Sequence, residues 1–309
     1  MSTDGELSRR ARAFAAAIEP VAGQVYFSPE CHKAYAEMGF GGNPISLEEF
    51  GVPAGTTQPP DAPAYCCSRG SVLGQVPGEV VAAAFAAFNP AGVIPAVTFG
   101  WTLTDAATIC AARTDGAVAQ LARILGPSPA GLVRVADLLA RAGAHLRPEG
   151  RPMYAGLLSL PMPGDATGDM WRLADRLREY RGDSHNAAWV SAGLDAVEIN
   201  LLTEAWWAMP LQTFSRSRGW SPEDLDAGIA RLNERGLIAN GALTAQGRTL
   251  REDVELATDR QCRSIVEAVG NDLEELIDIL SGWNSDIRAA GGYLPSGPHD
   301  FARDAAGRT

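Results

Sequence analysis

The sequence predicts a mainly α, multi-helical protein with one small β-hairpin. Apolar residues recur at helical spacing along most of the chain, and strand-like segments are almost absent outside a single place. That place, Leu237-Ile238 followed by Asn240-Gly241 and a return through Thr244, carries a strong two-residue turn signal.

In chain order, Leu7, Ala11, Phe14, Ala15 and Ile18 share one helix face, predicting a helix over 6–18 that Pro20 ends. Pro29 behind Ser28 starts a second helix, closed by Gly39. Residues 39–63 are rich in Gly and Pro, with a short helix expected at 46–50, where Ser46 caps and Glu49 completes the box. So long a connection inside a compact unit suggests a lid or binding loop. Further helices are expected over 77–88, 91–99, 104–125, 128–144, 152–159 and 166–195, the last broken near Gly182. Ser221, Pro222 and Asp224 open a helix over 222–234, and one or two long helices follow over 243–280. These elements suggest a helical N-terminal domain over 1–165, a second domain over 166–295 and a tail over 296–309.

The chain has 309 residues, 46% of them apolar, and a formal net charge of −11. That is enough for two domains or one large core, and it disfavours nucleic acid and anionic membranes as partners. The first residues lack a signal peptide's apolar run and no segment is long and apolar enough to span a membrane, so a cytoplasmic location is expected. Five cysteines without a CxxC fit buried, reduced thiols rather than disulfides or zinc.

Helix, hairpin, helix across 198–260 is the order of a winged helix. There the ARLNERGLI and LTAQGRTL segments resemble MarR-like winged helices, through the pattern RLxxRGLI followed by LTxxG. Across more of the chain, VYFSPE (25–30), YCCSRGSVLG (65–74), FNP (88–90), LREYRGDSHNAAWVSAGLD (177–195) and GWSPEDLDAGIARLNERGL (219–237) resemble an actinobacterial group known only as helix-turn-helix family proteins. The resemblance implies a winged-helix scaffold, and an N-terminal half that mimics it as an internal pseudo-dimer is compatible with the length.

The charge is wrong for reading DNA. Residues 195–260 hold seven basic and eleven acidic side chains, a net of −4, and the first turn of the would-be recognition helix carries Glu223, Asp224 and Asp226. Helix-dipole compensation accounts for these acids and still leaves a surface that repels phosphate. No Lys or Arg occupies 238–244.

Candidate chemistry centres on Arg181, Asp183 and His185, where Asp183 either caps a helix starting at His185 or charges that imidazole for proton exchange. Glu48, in the lid-like loop, is a second candidate to take a proton from an amine, against the reading that it is a solvated acid. Tyr26, Glu30, Tyr65, Arg69 and Asn89 lie in the segments most like the helix-turn-helix group; Arg69 suits a forked hold on an anion, or a bridge between helix ends. Of the adjacent pair Trp206 and Trp207 only one can be central in a helix, and Trp206 is expected to line a cavity. No dinucleotide, P-loop or GxSxG motif is present, and no histidine pair has metal-ligand spacing, so neither cofactor nor metal is expected. Lys33, the only lysine, looks exposed and unsuited to Schiff-base chemistry.

The expected function is therefore a cofactor-independent enzyme of specialised metabolism acting on an amine-bearing small molecule, by carboxylate-assisted elimination or intramolecular ring closure. The alternatives are a MarR-like, ligand-responsive regulator, and a non-catalytic subunit that forms a homo- or hetero-dimer. A pocket bounded by 39–63 and 181–185 favours the enzyme.

Overall fold

The computed structural model describes residues 4–41, 46, 48 and 57–295, and across them the chain is mainly helical with one two-stranded antiparallel sheet. The short helix expected at 46–50, Glu49 included, and the tail at 296–309 fall outside a continuous description.

The first helix, α1 (Asp4–Gly23), runs through Pro20 instead of ending there. Proline removes one helical N–H and so orphans the carbonyl four residues back. Here that carbonyl, on Ala16, accepts 3.1 Å from the Asn284 side-chain amide, so a distant helix supplies what the proline took away. Then come α2 (Pro29–Glu37), capped by Ser28, and α3 (Ala62–Gly70), capped by Asp61, a helix the sequence pattern left unassigned. The next helix, α4 (Gly78–Phe85), stops short of Phe88, because Ala86 turns to a φ of 53° and Asn89 must cap α5 (Pro90–Gly100). After α6 (Ala106–Leu125), α7 (Leu132–Gly143) and α8 (Pro152–Ser159) comes α9 (Ala166–Ser191), which continues without interruption through Gly182.

Beyond α9, Asp195 and Glu198 form a capping box on α10 (Ala196–Trp206), and Ser221 and Asp224 form the expected one on α11 (Pro222–Glu234). The strands β1 (Ile238–Ala239) and β2 (Ala242–Leu243) pair Ile238 with Leu243, and Thr244 caps α12 (Ala245–Gln261). Gly247 shows why the LTxxG pattern needs its glycine: a Cβ there would lie 1.9 Å from the Leu237 carbonyl oxygen. Finally α13 (Arg263–Val269) and α14 (Leu273–Ala289) return to the N-terminal half, where α14 lies along α1 and α13 against α7.

The axle of the fold is α9, which packs on α1, α6, α7, α8 and α12. One large apolar cluster, with Trp171 and Leu177 of α9 in it, joins α1, α7, α13 and α14. A second, around Trp189, Leu201, Leu225 and Ile238, holds the hairpin-bearing unit together. A third, around Val81, Phe85 and Met153, sits beneath α3, α4, α5 and α8. The corner after α4 is tied to the hairpin-bearing unit, because the Ala87 carbonyl accepts from Asn200 at 2.8 Å and from Trp220 at 3.0 Å. All five cysteines are buried and unbridged.

Candidate small-molecule site

A cavity of about 290 Å³ lies where the three clusters meet. Its wall takes residues from α1, α3, α9, α10 and α12, from the corner at Ala87 and Phe88, and from Phe214 and Arg218 between α10 and α11. Its size is at the low end of the range typical of small-molecule sites, roughly 300–1,000 Å³.

The lining is apolar but crossed by buried ion pairs that radiate from α9. On one side Arg69 forks Glu179 at 3.0 and 2.9 Å, while Arg178 bonds Glu19 at 2.9 Å and Glu179 at 2.8 Å. Burial works to raise the Glu179 carboxyl, but Arg69 and Arg178 overcome it and hold it at about 2. On the other side Arg181 bonds Glu255 at 3.1 Å and Asp259 at 3.0 Å, Arg251 bonds Glu255 at 2.6 Å, and Arg12 reaches Asp259 at 2.7 Å. These ladders stitch α1, α3, α9 and α12 around the void, and each carboxylate in them already has a guanidinium.

Asp183 differs from the other acids of the wall. It sits mid-helix, where it does not cap its own helix as expected; one carboxylate oxygen accepts the Tyr154 N–H at 2.9 Å, in the first turn of α8, whose N-cap Arg151 makes no side-chain cap. Burial pushes its carboxyl up to about 7. His185 lines the same cavity but does not pair with Asp183, since residues two apart on a helix face different ways. The imidazole lies 3.2 Å from the Thr258 hydroxyl and 3.8 Å from Glu255, and burial holds it down at about 4, neutral at pH 7.

Arg218 was not singled out from sequence as a lining residue. Its guanidinium carbon lies 4.7 Å from the Phe88 ring centre and 4.2 Å from that of Phe214, and its Nη1 donates a long bond, 3.4 Å, to Ser217. Among the described residues no carboxylate pairs with it. Burial, with Arg69 and Arg178 nearby, lowers its pKa to about 10, so it stays charged at neutral pH. The loop beneath it is firmly built. Buried Glu204 accepts the N–H groups of Gln212, Thr213 and Ser215 at 2.7, 3.1 and 2.6 Å, and Gln212 is held at a φ of 62°. Asn89 donates its backbone N–H to the Arg218 carbonyl at 2.9 Å and its amide to Gly219 at 3.0 Å.

The remaining sequence candidates divide as follows. Tyr26, Tyr65, Arg69, Arg181, Asp183 and His185 all line the cavity. Burial pushes the Tyr26 phenol up to about 12, and the rings of Tyr26 and Tyr65 lie 5.2 Å apart. Asn89 supports the wall from behind. Glu30 is not a lining residue: it pairs with Arg123 at 2.6 Å near the start of α2. Trp207 lines the cavity in place of Trp206, whose ring lies beneath Arg251. Glu48 is exposed and lies outside the lining, so the inward-facing carboxylate expected of it is Asp183 instead. Lys33 is exposed, 3.9 Å from Glu37.

On the outer face of α11, Glu223, Asp224 and Asp226 are exposed, while Arg231 and Arg235 turn back to Asp195 and Glu198 at 2.7 Å. Among the described residues no group of three or more His, Cys, Asp and Glu side chains is placed to hold a metal ion, and no helix is long and apolar enough to cross a membrane.

A family model described as a helix-turn-helix family matches residues 11–295. No curated protein and no solved structure matches the chain.

Proposed function

Because the chain belongs to the helix-turn-helix family and yet presents carboxylates where such a scaffold would face phosphate, we propose that it is a cofactor-independent enzyme of specialised metabolism that works in its cavity and does not read DNA. In this reading the hairpin-bearing unit is a MarR-like winged helix turned into one wall of an active site. The observation that carries it is Asp183, a carboxyl pushed up to about 7 in the wall of a mostly apolar cavity. A general base is most effective when its pKa lies near the working pH. Pro59, from the long connection, lines the cavity together with Arg181, Asp183 and His185, which supports the enzyme reading.

For an amine-bearing substrate, the Asp183 carboxylate removes a proton from the ammonium group. The freed nitrogen lone pair attacks an electrophilic carbon of the same molecule, and the leaving group departs with the electrons of the bond that breaks. In the related elimination the proton comes from carbon and its bonding pair forms the new double bond. Neither route needs an oxidant, and holding both ends of one molecule supplies much of the barrier reduction. The protonated Asp183 then gives its proton to the leaving group or to water, which restores the carboxylate for the next turnover. The test is untargeted mass spectrometry of a cell extract incubated with the protein: time-dependent conversion of a metabolite, lost in Asp183→Asn, supports the reading, and conversion retained in that variant overturns the role of Asp183.

A regulator reading draws on a different observation, that α10 and α12 of the hairpin-bearing unit line the cavity, so a ligand there would touch the unit that meets DNA in MarR-like proteins. The exposed acids of α11 weigh against it.

A further inference from the structure

We propose that Arg218 anchors the ligand through a single carboxylate, and that the cavity takes small monocarboxylic acids with a flat aromatic body. The inference rests on the reading that the cavity binds a small molecule, and it names the chemistry of that molecule.

Among the described residues, every arginine of the wall but one is answered by a carboxylate. Glu19 and Glu179 answer Arg178 and Arg69, and Glu255, Asp259 and Glu252 answer Arg251, Arg181 and Arg12. Arg218 is left over: among the described residues it meets the Ser217 hydroxyl at 3.4 Å and two aromatic rings, and no carboxylate. Rings attract the cation but accept its N–H groups weakly, so the donors of a fixed fork stay available inside a partly dry site. A planar carboxylate matches that fork with two parallel bonds, and its one negative charge balances the wall arginine that no carboxylate meets among the described residues. A phosphate dianion would leave an excess of negative charge beside Glu179.

The body of the ligand follows from the neighbours. Phe88, which lies under Arg218, stands 5.6 Å from the Tyr65 ring and 5.7 Å from Phe85, and Tyr65 lies 6.2 Å from Phe85. This aromatic cluster borders the cavity beside the cation and offers edges and faces for a ring to stack on. The loop is also held at a cost that an idle surface arginine would not require: a non-glycine residue at positive φ, a buried carboxylate on three backbone N–H groups, and Asn89 gripping both Arg218 and Gly219. Preorganisation of this kind suits an anchor whose donors must already point at the ligand when it arrives.

The test uses the full chain and three probes, 3-phenylpropanoate, its neutral amide and phenyl phosphate, titrated by calorimetry against wild type, Arg218→Met, Arg218→Lys and the cavity-filling Thr203→Trp. The expected result is saturable binding of the acid by wild type, at least tenfold tighter than the amide or the phosphate, weakened at least tenfold in Arg218→Met, partly restored in Arg218→Lys and abolished in Thr203→Trp. Without ligand, Arg218→Met should melt no lower than wild type, because methionine keeps the contact with the rings and removes a cation that has no carboxylate. Equal binding of acid and amide, both lost in Thr203→Trp but unchanged in a natively folded Arg218→Met, would overturn the anchor and leave the cavity reading intact. Tighter binding of the phosphate would overturn the monocarboxylate class. Failure of wild type to bind any probe would overturn the inference together with the cavity reading.

Discussion

The carboxylate of Glu204 accepts the backbone N–H of Ser215 at 2.6 Å, and through it α10 dictates the course of the loop that ends at Arg218. With Gln212 and Thr213 also bonded to the same side chain, three buried donors depend on one acceptor. Replacing Glu204 with Ala should therefore destabilise the protein by roughly 2–3 kcal/mol, since buried N–H groups left without partners cost about 1–3 kcal/mol. Glu204→Gln, which keeps one carbonyl oxygen, should fall between. Urea unfolding followed by circular dichroism measures both, and equal stability of all three proteins would mean that the loop does not depend on this side chain.

Asp183 makes a pH-dependent contribution whose sign is fixed. Its folded pKa, about 7, lies above the unfolded value, so the folded state holds its proton more tightly. The stability this supplies is complete below the unfolded pKa and is lost as pH rises toward 7, with a limiting slope of about 1.4 kcal/mol per pH unit. His185, lowered to about 4, has the opposite slope between 4 and 6.5. Subtracting the stability curve of Asp183→Asn from that of wild type isolates the first effect: the difference should favour wild type most at low pH and shrink toward neutrality. A flat difference from pH 4 to 7 would contradict the raised pKa.

Gly247 cannot accept a side chain without moving backbone, given the Leu237 carbonyl 1.9 Å from its would-be Cβ. Gly247→Ala should separate β1 from the start of α12 and cost several kcal/mol, on the order of other severe overpacking changes. Proteolysis should then cut first near the hairpin. Unchanged melting and proteolysis would show that the close approach can relax.

Asn284 completes the backbone bonding that Pro20 interrupts. Asn284→Leu leaves the Ala16 carbonyl without its partner and should cost about 1–2 kcal/mol. In a Pro20→Ala background the same change should cost less, because the helix then supplies its own N–H. A double-mutant cycle with no coupling would contradict this account.

How much of this was readable in the chain depended on the range of the interaction responsible. Local chemistry was legible: the Ser221 and Asp224 box and the Asn240-Gly241 turn act within a few residues, and the structure has them as expected. Pro20 and Gly182 misled because their local signals say break, whereas Asn284 repairs one helix and dense packing on five neighbours carries α9 through the other. Asp183 was found from sequence, but its partner, the first turn of α8, lies 29 residues away and could not be guessed from spacing. Arg218 was missed as a lining residue for the same reason. Nothing in Ser215 to Trp220 distinguishes it from the exposed Arg216; only Glu204 and the distant Asn89 turn one arginine inward and leave the other out. The FNP segment carried the available hint, since Phe88 and Asn89 both serve Arg218.

DNA binding gives a further separation of the readings. The exposed Glu223, Asp224 and Asp226 predict no saturable retardation of the native upstream DNA, even at low salt. Saturable binding that Arg216→Ala removes would favour the regulator.

The most direct measurement is the pH profile of the conversion found in extract, compared between wild type and Asp183→Asn. The account predicts that wild type gains activity along an acid limb centred near pH 7 and that the folded variant has lost at least a hundredfold of the rate, the order of contribution expected of a positioned general base. A variant that keeps the wild-type rate and the same limb would contradict it.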